Sequence, residues 1–142
     1  SAAIFRPPRS LMLAREGFFK LAVSGDYLPH YPIGGLGVTD ELIKKNPGDI
    51  QLFVNATLRG IAYYRQNRAE SIKFIAKELK SPDESFATQM FDWHQTVIAD
   101  EGRPSQAWIN GVLDFTRKSL DIKAAIPPEQ VFDFSFVDKA NR

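Results

Sequence analysis

Cysteine is absent from this chain of 142 residues, which excludes disulfides, thiol catalysis and cysteine-ligated metal sites. Histidine is scarce, with 2 residues, and no GxSxG nucleophile elbow occurs. No apolar run approaches the roughly 18 residues of a membrane-spanning helix, and no signal peptide is visible. Because these groups are missing, we predict that the chain is not an enzyme and uses no cofactor and no metal.

An excess of charge is also missing. The 18 basic and 17 acidic residues leave a formal net charge of +1, and no basic run of five or six residues is present, so nucleic acid is not an expected partner. Apolar residues make up 44% of the chain and include 11 Phe, 4 Tyr and 2 Trp. This length and composition suit a single compact domain, which buries roughly 68% of its unfolded surface.

The first forty residues carry β-like patterns. Residues 2–5 are apolar and stop at Pro7 and Pro8, which cannot donate to a ladder. Residues 18–23 (FFKLAV) predict a second strand, and the glycine-rich residues 33–39 predict a third extended segment. Since the chain begins directly in an apolar run, without a turn or cap, we expect it to be a fragment of a longer protein.

Helical signals dominate from Thr39 onward. Thr39 predicts the cap of a short helix, and Asn46 followed by Pro47 predicts the start of a long one. The helical period in residues 47–64 predicts that one face is buried. That face comprises Phe53, Val54, Leu58 and Ile61. Later capping-box spacings predict further helices after Asn67 and after Ser81. The alternating Phe132, Phe134 and Phe136 predict an extended segment, followed by a short turn of helix at the end of the chain.

The remaining polar features favour structural roles, with one exception. Residues 34–37 (GGLG) lack the spacing of a phosphate-binding loop, and His94, beside Trp93 on a predicted helix, is typical of a packing histidine. Arg6 and Arg9 flank Pro7 and Pro8 just beyond a predicted strand end. In open α/β sheets ligands bind there, and a guanidinium can hold an anion with two hydrogen bonds.

The order of these signals resembles the C-terminal part of the substrate-binding proteins of ABC transporters. The branch it resembles binds nitrate, sulfonates, taurine and thiamine precursors. The resemblance covers nearly the whole chain and consists of short motifs in a fixed order. The matching residues are Ala2, Ala3, Pro7, Gly17, Tyr31, Pro32, Gly35, Leu36, Val38, Thr39, Asn46, Pro47, Phe53, Ala56, Tyr64, Asn67 and Glu70.

This resemblance implies a helix-rich α/β protein, the C-terminal portion of the two-lobed type II periplasmic-binding-protein fold. Residues 1–32 would be the end of one lobe and the hinge crossover. Residues 33–142 would be the closing strand and C-terminal helices of the other lobe. The implied hinge residues are Ser24, Gly25, Pro29 and Pro32. Arg6, Arg9 and Tyr31 would face the ligand cleft.

The implied function is solute binding for an ABC-type importer. The solute would be a small organic or anionic nutrient, such as nitrate, an alkyl sulfonate, taurine or a thiamine pyrimidine precursor. The partners would be that solute and the membrane permease, in the periplasm or, with a lipid anchor, outside a Gram-positive cell. Two alternatives share the fold: an enzyme that makes the thiamine pyrimidine, and an extracellular sensor domain. For the fragment itself, exposed strands predict self-association into a homodimer.

Overall fold

The computed structural model describes residues 2–27 and 34–141. Over those residues the chain is 65% helical and contains no strand. The α-helices, in chain order, are α1 (Arg9–Arg15), α2 (Ser24–Tyr27), α3 (Asp40–Lys45), α4 (Pro47–Gln66), α5 (Arg68–Glu78), α6 (Glu84–Val97), α7 (Gln106–Ser119) and α8 (Ser135–Ala140). Short 3₁₀ turns lie at Asp100–Gly102 and Pro128–Gln130.

The prediction of an α/β fold is therefore wrong, and the chain is not a type II periplasmic-binding-protein fold. Residues 2–5, 18–23 and 34–39 are neither helix nor strand. Their apolar side chains face solvent: Ile4 and Phe19 are each 92% exposed. A residue with high β-propensity is stabilised in a strand that is paired with a neighbour and buried on one face. Within the described chain these segments have no neighbouring strand and no buried face.

The chain divides into two compact units. Unit 1 comprises Ser1–Val23 and Tyr63–Ile98, and unit 2 comprises Ser24–Ala62 and Ala99–Arg142. Each unit is thus built from two separate stretches of sequence, and α4 contributes its first part to unit 2 and its last turn to unit 1. The predicted division into residues 1–32 and 33–142 stays a prediction.

Unit 1 is centred on the packing of α5 against α6. Its core combines the apolar faces of the two helices. The buried members are Ile72, Ile75, Phe86, Ala87, Met90 and Phe91. Leu11 of α1 packs on this cluster. The Asp83 carboxylate caps α6 by accepting from the Phe86 N–H at 2.8 Å. Arg15 of α1 donates to the same carboxylate at 2.5 and 3.1 Å, so one acid both starts α6 and fixes α1.

Two helix starts in unit 1 differ from the predicted capping boxes. Asp83 rather than Ser81 caps α6, because the chain adopts extended backbone angles at Asp83 (φ −163°, ψ 172°). Asn67 precedes α5 without a side-chain cap bond. Its amide donates instead to the Tyr63 carbonyl at 2.9 Å, which stabilises the end of α4 rather than the start of α5.

Unit 2 is centred on the contact between α4 and α8. Ile50, Val54 and Phe136 form its buried cluster. Partly buried side chains surround it: Ile43, Leu58, Val137 and Ala140. The Gln51 amide donates to the Phe136 carbonyl at 2.8 Å. The predicted stripe of α4 is correct for Val54 and wrong for Phe53, which is 57% exposed.

Three further features of unit 2 bear on the sequence predictions and on the packing of α4. The Thr39 hydroxyl caps α3 by accepting from the Leu42 N–H at 3.2 Å, as the sequence predicts. Gly102 has a φ of +73°, a backbone conformation that favours glycine, and a Cβ there would lie 2.5 Å from Leu58 Cδ2, so the Leu58 side chain would have to shift. The tail ends in a short helix, as the sequence predicts; it begins at Ser135 and packs Phe136 against α4.

Candidate functional site

Two of the three predicted ligand-binding residues, Arg6 and Arg9, lie in the described chain. Arg6 and Arg9 are exposed in unit 1. The Arg6 carbonyl accepts from the Ser10 N–H at 3.1 Å, and the Arg9 guanidinium lies 3.7 Å from the Glu16 carboxylate. No strand precedes Arg6 in residues 2–5. The argument that a strand end delivers Arg6 to a cleft is therefore wrong, although a role in solute binding stays a prediction.

The predicted hinge is only partly described. Ser24 and Gly25 are the first residues of α2, and unit 2 begins at Ser24. Tyr31, Pro29 and Pro32 lie outside the described residues.

The polar group with the most distinctive geometry is a tyrosine–histidine pair in unit 1. The hydroxyl of Tyr64, on the last turn of α4, lies 2.8 Å from His94 Nδ1 on α6. Aromatic rings enclose the pair. The Tyr64 ring centroid is 5.0 Å from that of Phe91, and the His94 centroid is 5.2 Å from that of Trp93. Both residues are half-buried.

Helix geometry explains the meeting of these residues. Phe91 and His94 are three residues apart on α6, so both point to the same side of the helix. The Ser71 hydroxyl of α5 donates to the Tyr64 carbonyl at 2.8 Å, which holds the end of α4 against the α5–α6 pair. Sequence reasoning assigned His94 to packing, as the structure shows, but missed its partner because 30 residues separate the two.

Burial sets the charge state of the pair. Desolvation, with a smaller contribution from the Asp92 charge, raises the pKa of Tyr64 to about 12. Desolvation lowers the pKa of His94 below its ordinary value. At neutral pH both groups are therefore neutral. The hydrogen bond therefore joins two neutral groups, and the imidazole tautomer sets which of them donates.

This arrangement suits a structural hydrogen bond rather than catalysis. A tyrosine with a raised pKa is a poor general base at neutral pH, because deprotonation is costly. The Nδ1 atom of His94 is already occupied by its hydrogen bond with the Tyr64 hydroxyl. We therefore interpret the pair as a structural hydrogen bond that holds the last turn of α4 against α6.

The lowered pKa of His94 predicts that the stability of the fold falls in acid. Because the pKa of His94 is lower in the folded state than in the unfolded state, the unfolded chain binds the proton more tightly. The stabilisation should be complete above the ordinary pKa of 6.5 and should be lost as the pH falls through the lowered folded value. Urea unfolding followed by Trp93 fluorescence between about pH 5 and pH 8 measures this decline.

One variant controls the experiment: His94→Gln should flatten the decline. The Arg15 hydrogen bond is the main cause that lowers the pKa of Asp83 from its ordinary 3.8. The Asp83 carboxyl therefore titrates below the pH range of this experiment. Superimposable pH profiles for the wild type and His94→Gln would contradict the assignment.

The described residues contain no group of three or more histidines and acids positioned to hold a metal ion. In the same part of the chain, no helix has both the length and the apolar character needed to cross a membrane. Comparisons with protein-family models, curated proteins and solved structures find no match to this chain.

Proposed function

We propose that the chain is the solute-binding component of an ABC-type importer, with a small organic or anionic nutrient as its solute. The sequence motifs in fixed order carry this proposal. It concerns the role of the protein and not the two-lobed fold, which the described chain does not have. In this role the protein works on the outer side of the cytoplasmic membrane and passes its solute to a permease.

The positions of the motif residues support the proposal. Gly17, with a φ of +90°, follows the end of α1. Thr39 caps α3, and Asn46 and Pro47 stand where α4 begins. Tyr64 packs on the core of unit 1. Residues that carry the resemblance thus lie at helix boundaries and in a core.

Arg6 and Arg9 remain the proposed solute contacts, with Tyr31. Both arginines are exposed and lie three residues apart. A planar guanidinium fits a carboxylate, sulfonate or nitrate through paired N–H donors. The proposal therefore favours an anionic solute over a neutral one.

Solute uptake by the source organism tests the function. A strain that lacks the gene should lose high-affinity uptake of one of four labelled solutes: nitrate, ethanesulfonate, taurine or the aminopyrimidine precursor of thiamine. The gene in trans should restore it. An Arg6→Ala gene should restore it with an apparent affinity reduced roughly 10- to 100-fold, the equivalent of a lost charged hydrogen bond.

Lys73→Ala is the matched control, because Lys73 is an exposed cation of α5 in the same unit. It should restore uptake fully. Arg15 is unsuitable as a control because it holds Asp83. Unchanged uptake of all four solutes in the deletion strain would contradict the importer function. Loss of pyrimidine synthesis with normal uptake would indicate the biosynthetic enzyme instead.

A further inference from the structure

Residues 18–23, the FFKLAV segment, form an exposed apolar stretch of unit 1. It lies between α1 and α2 and is neither helix nor strand. Phe19 is 92% exposed, Leu21 83% and Phe18 63%. Soluble monomers rarely expose contiguous apolar side chains of this size without an interaction partner.

We propose that the FFKLAV segment pairs with the same segment of a second copy of the chain, as an antiparallel two-stranded ladder centred on Leu21. The proposal goes beyond solute binding and does not depend on it. The segment suits strand pairing, since it is rich in aromatic and branched residues and has no proline or glycine. The ladder forms only between chains, so it leaves each chain helical.

Side-chain alternation selects this register. In an extended strand, Phe19, Leu21 and Val23 share one face. The other face carries the segment's single charge, Lys20. Centring the ladder on Leu21 places Phe19 opposite Val23 and Leu21 opposite itself. The apolar faces of the two copies then coincide.

Charge and side-chain alternation disfavour two competing arrangements. In the Leu21-centred ladder, Lys20 lies opposite Ala22. A parallel in-register pair would place Lys20 opposite Lys20, and like charges directly opposite are destabilising. A shift by one residue would set the apolar face of one copy beside the lysine face of the other. The second copy is therefore the occupant that the segment's own sequence fits.

The dimer is expected to be weak. Each exposed phenylalanine can bury roughly 150–250 Å², and six residues per copy cover less than the ~800 Å² per partner of a standard interface. A two-stranded ribbon alone is marginally stable in water. Association should therefore appear at high micromolar protein and vanish on dilution.

Disulfide trapping tests the register. Because the chain has no native cysteine, an introduced cysteine can cross-link only with its copy in the second chain. In the proposed ladder the two Leu21 Cα atoms lie about 4.5–5.5 Å apart, within reach of a disulfide. The two Phe19 Cα atoms lie four residues out of register, about 13 Å apart. Under mild oxidation, Leu21→Cys should cross-link at least tenfold faster than Phe19→Cys. Equal rates, or a faster Phe19→Cys, would overturn the ladder.

Sedimentation of the full-length chain tests the surface. The wild type should show a concentration-dependent mass that rises towards a dimer, and Leu21→Lys should weaken association at least tenfold because two cations would meet at the two-fold axis. Leu52→Lys, a matched change at a leucine 69% exposed on α4, should associate like the wild type. A monomer mass for the wild type at high micromolar concentration, or equal weakening by both variants, would overturn the proposal.

Discussion

Phe86→Ala should lower the free energy of unfolding of unit 1 by about 3–5 kcal/mol. The Phe86 side chain is 2% exposed and lies in the first turn of α6, inside the cluster that joins α5 and α6. Truncation loses the transfer free energy of the ring and leaves a cavity that the two packed helices cannot fully close. The Arg15 guanidinium, 5.3 Å from the ring centroid, would lose its cation–π contact as well.

Fluorescence can report this loss unit by unit, because Trp93 lies in unit 1 and Trp108 in unit 2. A Trp108→Phe background leaves Trp93 as the only tryptophan, so urea unfolding reads out unit 1. Phe74→Ala is the control: Phe74 lies on α5 and is 62% exposed, so its truncation should cost less than about 1 kcal/mol. Equal losses for the two variants would contradict the assigned core.

Phe136→Ala should destabilise unit 2 by about 3 kcal/mol, the lower end of the range for a buried phenylalanine. The side chain is 8% exposed and contacts the α4 cluster of Ile50 and Val54. It is the buried anchor of the six-residue α8, and a helix this short depends on packing rather than on its own propensity. Truncation should therefore remove the contacts of the ring and also detach α8 from α4.

Phe53→Ala supplies the control for unit 2 and also tests the orientation of α4. Phe53 lies beside Val54 on the same helix but is 57% exposed, so its loss should cost less than about 1 kcal/mol. In a Trp93→Phe background, Trp108 fluorescence follows unit 2. A larger loss from Phe53→Ala than from Phe136→Ala would show that α4 is rotated relative to the structure.

Local chemistry explains what could be predicted from the sequence. Thr39 and the Asn46–Pro47 pair mark the starts of α3 and α4 because caps act within one turn. The helical stripe locates Val54 and Leu58 correctly. Phe53 was misplaced because, in the described part of unit 2, the buried face of α4 is covered by side chains of two short helices, α3 and α8. The buried stripe is therefore narrower than the apolar one.

Longer-range properties could not be predicted in the same way. The β-like residues 2–5 and 18–23 have strand propensity, but a strand also requires a partner, and propensity alone does not provide one. The Tyr64–His94 pair depends on how α4 meets α6, which no pattern within either helix specifies. Arg6 and Arg9 were selected by sequence neighbourhood. Their exposure in the structure agrees with solute access without defining a pocket.

The interleaving of the two units has a consequence for synthesis on the ribosome. Unit 1 has all its residues once Ile98 is made, whereas unit 2 lacks its anchor until Phe136 emerges 38 residues later. At about 5–20 residues per second, that interval lasts roughly 2–8 s. During it Ile50 and Val54 have no α8 to cover them. For these seconds the nascent chain therefore exposes Ile50 and Val54 of α4 to chaperones. A slow codon between Ile98 and Phe136 would lengthen the exposure.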